Sequence, residues 1–239
     1  MGDTVAGGTR ARVRAELTRD LLRIARQHLA AEGAASLSLR VVARDAGMVS
    51  SAIYRYFPSR DDLLTALIVD GFEQVAAVIE AADRTLPRRD VRGRWRAIGR
   101  AVRRWAIEHP HEYGLLYGTP IPGYRAPEAT AAPVRRAAET MLGLLADAVA
   151  HGAVRRDLAP LGEGARLALE PLQAAAPGVR APLLAAGLLA WTALFGHVSF
   201  ELFGHLHNVV ADAADADRDA FFDHQLDLLA DLLFAGAAR

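Results

Sequence analysis

The 239-residue sequence contains no cysteine. That excludes disulfides, thiolate nucleophiles and zinc sites built on thiolates, and it is compatible with a reducing cytoplasm. Lysine is missing too, because every basic side chain apart from histidine is arginine. Together with abundant alanine, this reads as the codon usage of a GC-rich bacterial genome rather than as chemistry. There is no net charge: 28 basic residues meet 28 acidic ones, so the whole chain carries no nucleic-acid signature. No segment shows the sustained apolar/polar alternation of a half-buried strand. Residues 1–10 are small and polar, without the apolar run of a secretory leader.

What is present is unevenly distributed. Hydrophobic residues make up 52% of the chain, enough for a substantial core. Residues 1–60 hold ten arginines against five acids, whereas 201–239 hold eight acids against two arginines. Such asymmetry points to an anion-binding surface near the amino terminus. Residues 181–200 carry no charge over a span of roughly membrane length, about 20 residues. No arginine cluster flanks them, so the expectation is a helix buried in a cytoplasmic dimer, with no membrane partner.

Periodicity is helical nearly throughout. Val13, Leu17, Leu21, Ile24, Ala25 and Leu29 recur three or four apart, and Gly33 stops that helix. Ser36 or Ser38 then caps a short helix that ends at Gly47. A second short helix is expected from Ser50, with Ile53 and Phe57 inward and Pro58 closing it. Ser59 caps a long helix to about Leu86, with Asp61 and Asp62 in its first turn. Later helices are expected over about 90–108, 134–151, 162–176, 180–208 and 216–235, with a short one through Tyr113 and Tyr117. Residues 118–133, GTPIPGYRAPEATAAP, form a loop or lid. The fold class is all-α. An N-terminal three-helix helix-turn-helix domain (1–58) leads through a connecting helix (59–86) to a larger domain (87–239).

Residues 36–64, SLSLRVVARDAGMVSSAIYRYFPSRDDLL, concentrate the chemistry. Small Ala43 and Gly47 let two helices approach. Ser50, Ser51, Tyr54 and Arg55 face outward on an element narrow enough for a DNA major groove. Arg40 before it and Arg60 after it can reach phosphates. This stretch resembles the helix-turn-helix of the TetR/AcrR family over about residues 10–65. The likeness is carried by Tyr54-Arg55-Tyr56-Phe57-Pro58-Ser59-Arg60-Asp61-Asp62-Leu63-Leu64. The resemblance implies DNA contacts from Ser38, Arg40, Ser50, Ser51, Tyr54, Arg55, Tyr56 and Arg60, with Tyr54 and Tyr56 on phosphates. Arg60 stands where the family usually has lysine, and Ala52 stands where a polar residue is frequent.

In the carboxy-terminal part, AWTALFGHVSFELFGHL at 190–206 and the GTPIPGYRAP loop resemble one TetR subgroup. The resemblance implies a dimer in which the last two long helices pair with their symmetry mates. The apolar positions expected there are Leu184, Leu188, Phe195, Leu202, Phe222, Leu226, Leu229 and Leu233. It also implies an unidentified small hydrophobic or aromatic effector among the middle helices, near Trp105, Tyr113, Leu116, Tyr117, Met141, Leu145, Trp191 and His197. The protein so described is a regulator, not an enzyme, without a cofactor, that represses from a palindromic double-stranded operator until its effector binds. Two alternatives stand beside it. His197, Glu201 and His205 share a helix face and could serve a helical metal-dependent or acid/base enzyme. A dimer with a vestigial DNA-binding head would also fit.

Overall fold

The computed structural model describes residues 3–207, 209–210 and 215–235. Ten α-helices account for most of them: α1 (Asp3–Glu32), α2 (Leu39–Asp45), α3 (Arg60–Asp83), α4 (Val91–Glu108), α5 (Pro110–Tyr117), α6 (Ala131–Ala150), α7 (Glu163–Ala168), α8 (Glu170–Ala175), α9 (Ala181–Leu202) and α10 (Asp215–Leu233). Among the described residues the one β-type pairing is an isolated bridge, Val154 with Phe234.

Outside the segment before Pro58, two expected helices differ from what is found. The stretch 162–176 is two short helices, because Pro171 lacks the N–H needed to continue α7 and instead sits in the first turn of α8. The helix expected to reach residue 208 stops at Leu202. Gly204 turns left-handed there (φ +78°), and the His205 N–H bonds to the Phe200 carbonyl at 2.8 Å in a Schellman closure.

Packing divides the chain into two compact units, and the division differs from the expected boundaries. The described residues up to Phe72, together with His109–Ala131, form one unit; Glu73–Glu108 and the described residues from Ala132 onward form the other. The expected connecting helix therefore contributes to both, and the proline-rich loop belongs with the head.

The head unit closes on one apolar cluster. Leu21 and Ala25 from α1, Val42 and Ala43 from α2, Ile53, Phe57, and Leu63, Leu64 and Leu67 from α3 are all buried together. Ile121 and Tyr124 of the proline-rich loop pack on this cluster, and the Tyr124 hydroxyl lies 2.9 Å from the Thr65 hydroxyl. The loop is thus pinned to the head rather than standing off it.

The second unit is organised around α4. Trp95 is buried and donates its indole N–H to the Leu226 carbonyl at 3.0 Å. At Gly99 the helices approach so closely that a Cβ would lie 2.4 Å from a Leu226 methyl. Along the rim, Arg92, Arg96, Arg100 and Arg103 of α4 meet Asp231, Asp227, Asp223 and Asp219 of α10 in an antiparallel ladder. Most of these pairs are solvated, so each contributes at most about 1 kcal/mol, and the ladder chiefly sets the register of the two helices.

Arg94 is different. It is 0% exposed and binds Asp83 of α3 through two nitrogens at 2.9 and 2.7 Å. A third nitrogen donates to Asp147 of α6 at 2.8 Å and to the Arg88 carbonyl at 3.0 Å. Burial by itself would raise the Asp147 carboxyl, but the guanidiniums of Arg94 and Arg88 outweigh it and hold the group below the usual carboxylate range. Replacing Arg94 by methionine keeps the bulk and strands the carboxylates. We expect a loss of about 3–5 kcal/mol in urea unfolding at neutral pH; a loss below about 1 kcal/mol would show that the cluster contributes little.

Candidate functional site

The reading segment follows from how α2 ends. Gly47 adopts φ +68°, its N–H bonds to the Arg44 carbonyl, and Met48 bonds back to Ala43 at 2.9 Å. The chain then enters residues 49–56, expected to be a helix from Ser50. Only a 3-10 turn, Ile53–Arg55, forms there, flanked by single turns. The physical reason is local. Val49 opens the segment and offers no side-chain oxygen to cap it. Ile53 and Phe57 nevertheless plunge into the head core and fix the outward side chains between them.

The sequence-expected DNA contacts fall into two groups. Arg40, Ser50, Ser51, Tyr54 and Arg55 are exposed. Ser38 is half-buried just before α2, where its carbonyl accepts the Val42 N–H and its hydroxyl makes no capping bond. Tyr56 and Arg60 are engaged internally. The Tyr56 ring lies under the Arg14 guanidinium at 5.1 Å, and Arg14 also donates to the Arg55 carbonyl at 2.9 Å. Arg60 donates to the carbonyls of Leu37, Ala34 and Ala35 at 3.1, 2.7 and 3.2 Å, clasping the turn that precedes α2. Ser59 does cap α3 as expected, accepting the Asp62 N–H and donating to its carboxylate at 2.6 Å. Arg14 is the residue that sequence reasoning passed over. It lies 41 positions from Arg55, and no local pattern announces a contact at that separation.

The expected effector-binding residues are distributed over both units. Met141, Leu145 and Trp191 come together in the second unit, where α6, α8 and α9 enclose a small cleft of about 60 Å³ with Ala138, Leu142, Leu172, Leu184, Gly187 and Leu188. No charged side chain lines it. Trp105 is buried in the same unit with its indole N–H on Gln74 at 3.3 Å. Tyr113, Leu116 and Tyr117 belong to the head unit. There the two tyrosine rings lie 4.8 Å apart, Tyr117 meets Phe72 edge-on, and Leu116 packs over Gly71. Burial, and to a lesser degree Tyr113, raises the Tyr117 hydroxyl above the normal phenol range.

His197 does not lie on the cleft. Its ring packs against Phe221 and Phe222, with centroids 5.9 and 5.2 Å away. Glu201, its expected partner in an acid/base or metal site, is instead gripped by Arg103 through two bonds of 2.7 Å. His205 packs edge-on against Phe200. Among the described residues no group of three histidines or acids is gathered as a metal site.

The expected dimer positions also divide. Leu184 of α9 and Phe222, Leu226 and Leu233 of α10 are buried within the protomer: α10 turns that face onto α4 and α9, and Leu184 faces the cleft beside α6 and α8. They are therefore not available to a second copy. Phe195, Leu202 and Leu229 are half-buried. Leu188 is 45% exposed, and beside it α9 leaves Leu189 and Phe200 more than half exposed.

Comparison with known proteins gives two domain matches. Residues 21–67 match the model of the bacterial regulatory proteins of the tetR family, and residues 95–229 match the tetracyclin repressor-like C-terminal domain. The chain is 36% identical to the HTH-type transcriptional regulator Rv1816 of Mycobacterium tuberculosis, over 98% of this chain and 99% of that protein. Among solved structures it is similar to the regulatory protein SCO4313, with 31% identity, a TM-score of 0.70, and coverage of 92% of this chain and 97% of that one. A Rhodococcus sp. RHA1 protein of unknown function shares the fold at 24% identity and a TM-score of 0.67, over 92% and 95% of the two chains.

Two outcomes follow from the site geometry. Arg60→Lys cannot reproduce the fork onto three carbonyls, so the head should lose about 1–2 kcal/mol in thermal or urea melting. A variant as stable as the parent would mean the clasp is dispensable. Burial, aided by Arg103 and opposed by Glu201, lowers the His197 pKa. The unfolded chain therefore takes up that proton first, and stability falls as pH drops below about 6.5. His197→Gln should flatten that decline; an unchanged profile would assign it to another group.

Proposed function

The chain belongs to the TetR family of DNA-binding transcriptional regulators, and on that premise we propose that it is a repressor released from a palindromic operator by a small, uncharged, apolar effector. Family membership carries operator binding and homodimerisation with it. The observation that supports the DNA-reading assignment is the exposure of Arg40, Ser50, Ser51, Tyr54 and Arg55 around a head whose core cluster is buried. Arg40 and Arg55 supply phosphate contacts, and Ser50, Ser51 and Tyr54 lie where base edges and backbone are reached. Ser38, Tyr56 and Arg60 complete the contact set, the last two through groups already braced by the protein's own interactions. In the dimer, two heads reading half-sites one DNA turn apart account for a palindrome.

The effector assignment rests on the uncharged cleft between α6 and α9. A cleft of about 60 Å³ is below the range of roughly 300–1,000 Å³ typical of ligand pockets, so binding must widen it. Widening moves α6 or α9, and that differential affinity for one arrangement is what shifts the population away from the DNA-binding state. A cytoplasmic location fits this role. The reading gives His197 and Glu201 no catalytic part, since Arg103 holds the carboxylate.

A gel-shift titration against the DNA upstream of the protein's own gene, at several salt concentrations, tests the reading. Binding should fall steeply with salt, and Arg40→Ala and Arg55→Ala should each lower the slope of log affinity against log salt by about 1. Absence of a salt-dependent complex would overturn DNA binding. For the effector, solvent extraction of the purified protein followed by mass spectrometry should yield an apolar molecule that Leu145→Trp, filling the cleft, no longer retains. Equal retention by that variant would move the site elsewhere.

A further inference from the structure

We propose that Val49 reads the 5-methyl group of an operator thymine. The inference rests on the DNA-binding reading and assigns a specificity role to a residue outside the contact set derived above. Val49 is 72% exposed, the most solvent-accessible large apolar side chain among the described residues of the head. It stands at the amino-terminal end of the reading segment, where its carbonyl accepts the Ala52 N–H at 2.9 Å and starts the first turn. That position favours serine, threonine, aspartate or asparagine, whose side-chain oxygens cap the segment, and an apolar residue forgoes that bond. In a helix-turn-helix the amino-terminal residues of the reading element are the ones that meet base edges. The major-groove edge of thymine is unlike that of the other bases in carrying a methyl group, and apolar side chains recognise it.

The neighbours make the placement specific. Ser50 and Ser51, next in the chain, are exposed and can bond to a base edge or a phosphate. Ile53, one turn on, is buried and locks the segment against rotation. Val49 has two γ-methyls on a β-branched stem with one preferred rotamer, so little side-chain entropy is lost when it docks. The contact exists only in the complex, which explains why a valine is left in water in the free protein.

The test uses the full-length protein and an operator defined by selection from random duplexes. Each thymine in one half-site is replaced in turn by deoxyuridine, which removes the 5-methyl and nothing else. For the parent protein, one position per half-site should weaken binding about fourfold, the worth of one buried methyl group. For Val49→Ala the penalty at that position should vanish while the thymine operator is still bound. Val49→Thr, which restores a capping oxygen and keeps one methyl, should retain part of the penalty and melt no lower than the parent. Uridine sensitivity at no position, or sensitivity undiminished in Val49→Ala, overturns the proposal. Failure of the parent to bind any selected duplex would instead overturn the DNA-binding reading itself.

Discussion

A single buried cation organises the larger unit. Arg94 sits on α4 with no access to solvent, and its guanidinium joins α3 through Asp83, α6 through Asp147 and the turn before α4 through a carbonyl. An unpaired guanidinium in that place would be prohibitively costly, so α3, α4 and α6 must arrive together with their acids in position. The interaction specifies one arrangement rather than adding much net stability. The apolar contacts of Trp95, Ile98, Val102 and Trp105 on the same helix supply the adhesion that the ion cluster directs.

The same economy explains how a neutral chain presents cationic side chains at its reading segment. Four acids of the last helix, Asp219, Asp223, Asp227 and Asp231, are taken up by the arginines of α4 along the antiparallel ladder, so neither partner contributes an extended field. In the head, Asp45 is held by His28 and Arg44, and Arg26 pairs with Asp70 and Glu112. Arg40 and Arg55 remain on the surface of that unit. A zero total therefore conceals an excess of positive charge confined to residues 1–60, ten arginines against five acids, and that local charge is the quantity that matters for DNA.

The proline-rich loop has a different place in the molecule from a free lid. Ile121 and Tyr124 lie on the helix-turn-helix core itself, and the loop leads directly into α6, which lines the apolar cleft. The covalent chain thus provides one short connection between the helix that would feel an effector and the core that positions the reading segment. A second is α3, whose residues up to Phe72 belong to the head and whose remainder belongs to the second unit, and a third is the junction of α4 with α5 at Glu108–His109. Each is a candidate for a two-state element of the kind an allosteric regulator requires.

Much of this was legible in the amino-acid sequence, because the signals are local. Periodicity of three to four residues announced the helices, Gly33 and Gly47 announced the ends of α1 and α2, and the 36–64 stretch carried the resemblance to a helix-turn-helix and its exposed Arg40, Ser50, Ser51, Tyr54 and Arg55. Other properties depended on which distant segment each face meets. Leu184, Phe222, Leu226 and Leu233 looked like surface for a second copy, yet α4 and α9 cover α10 on that side and Leu184 faces the cleft beside α6. Arg60 looked like a side chain free for phosphate alone, yet its guanidinium also clasps carbonyls more than twenty residues earlier. His197 and Glu201 looked like a pair, yet Arg103, nearly a hundred residues away, holds the acid. A helical repeat says that a face is apolar or charged. Only the arrival of the neighbouring helices decides whether that face is spent inside the protomer or left for DNA, effector or partner.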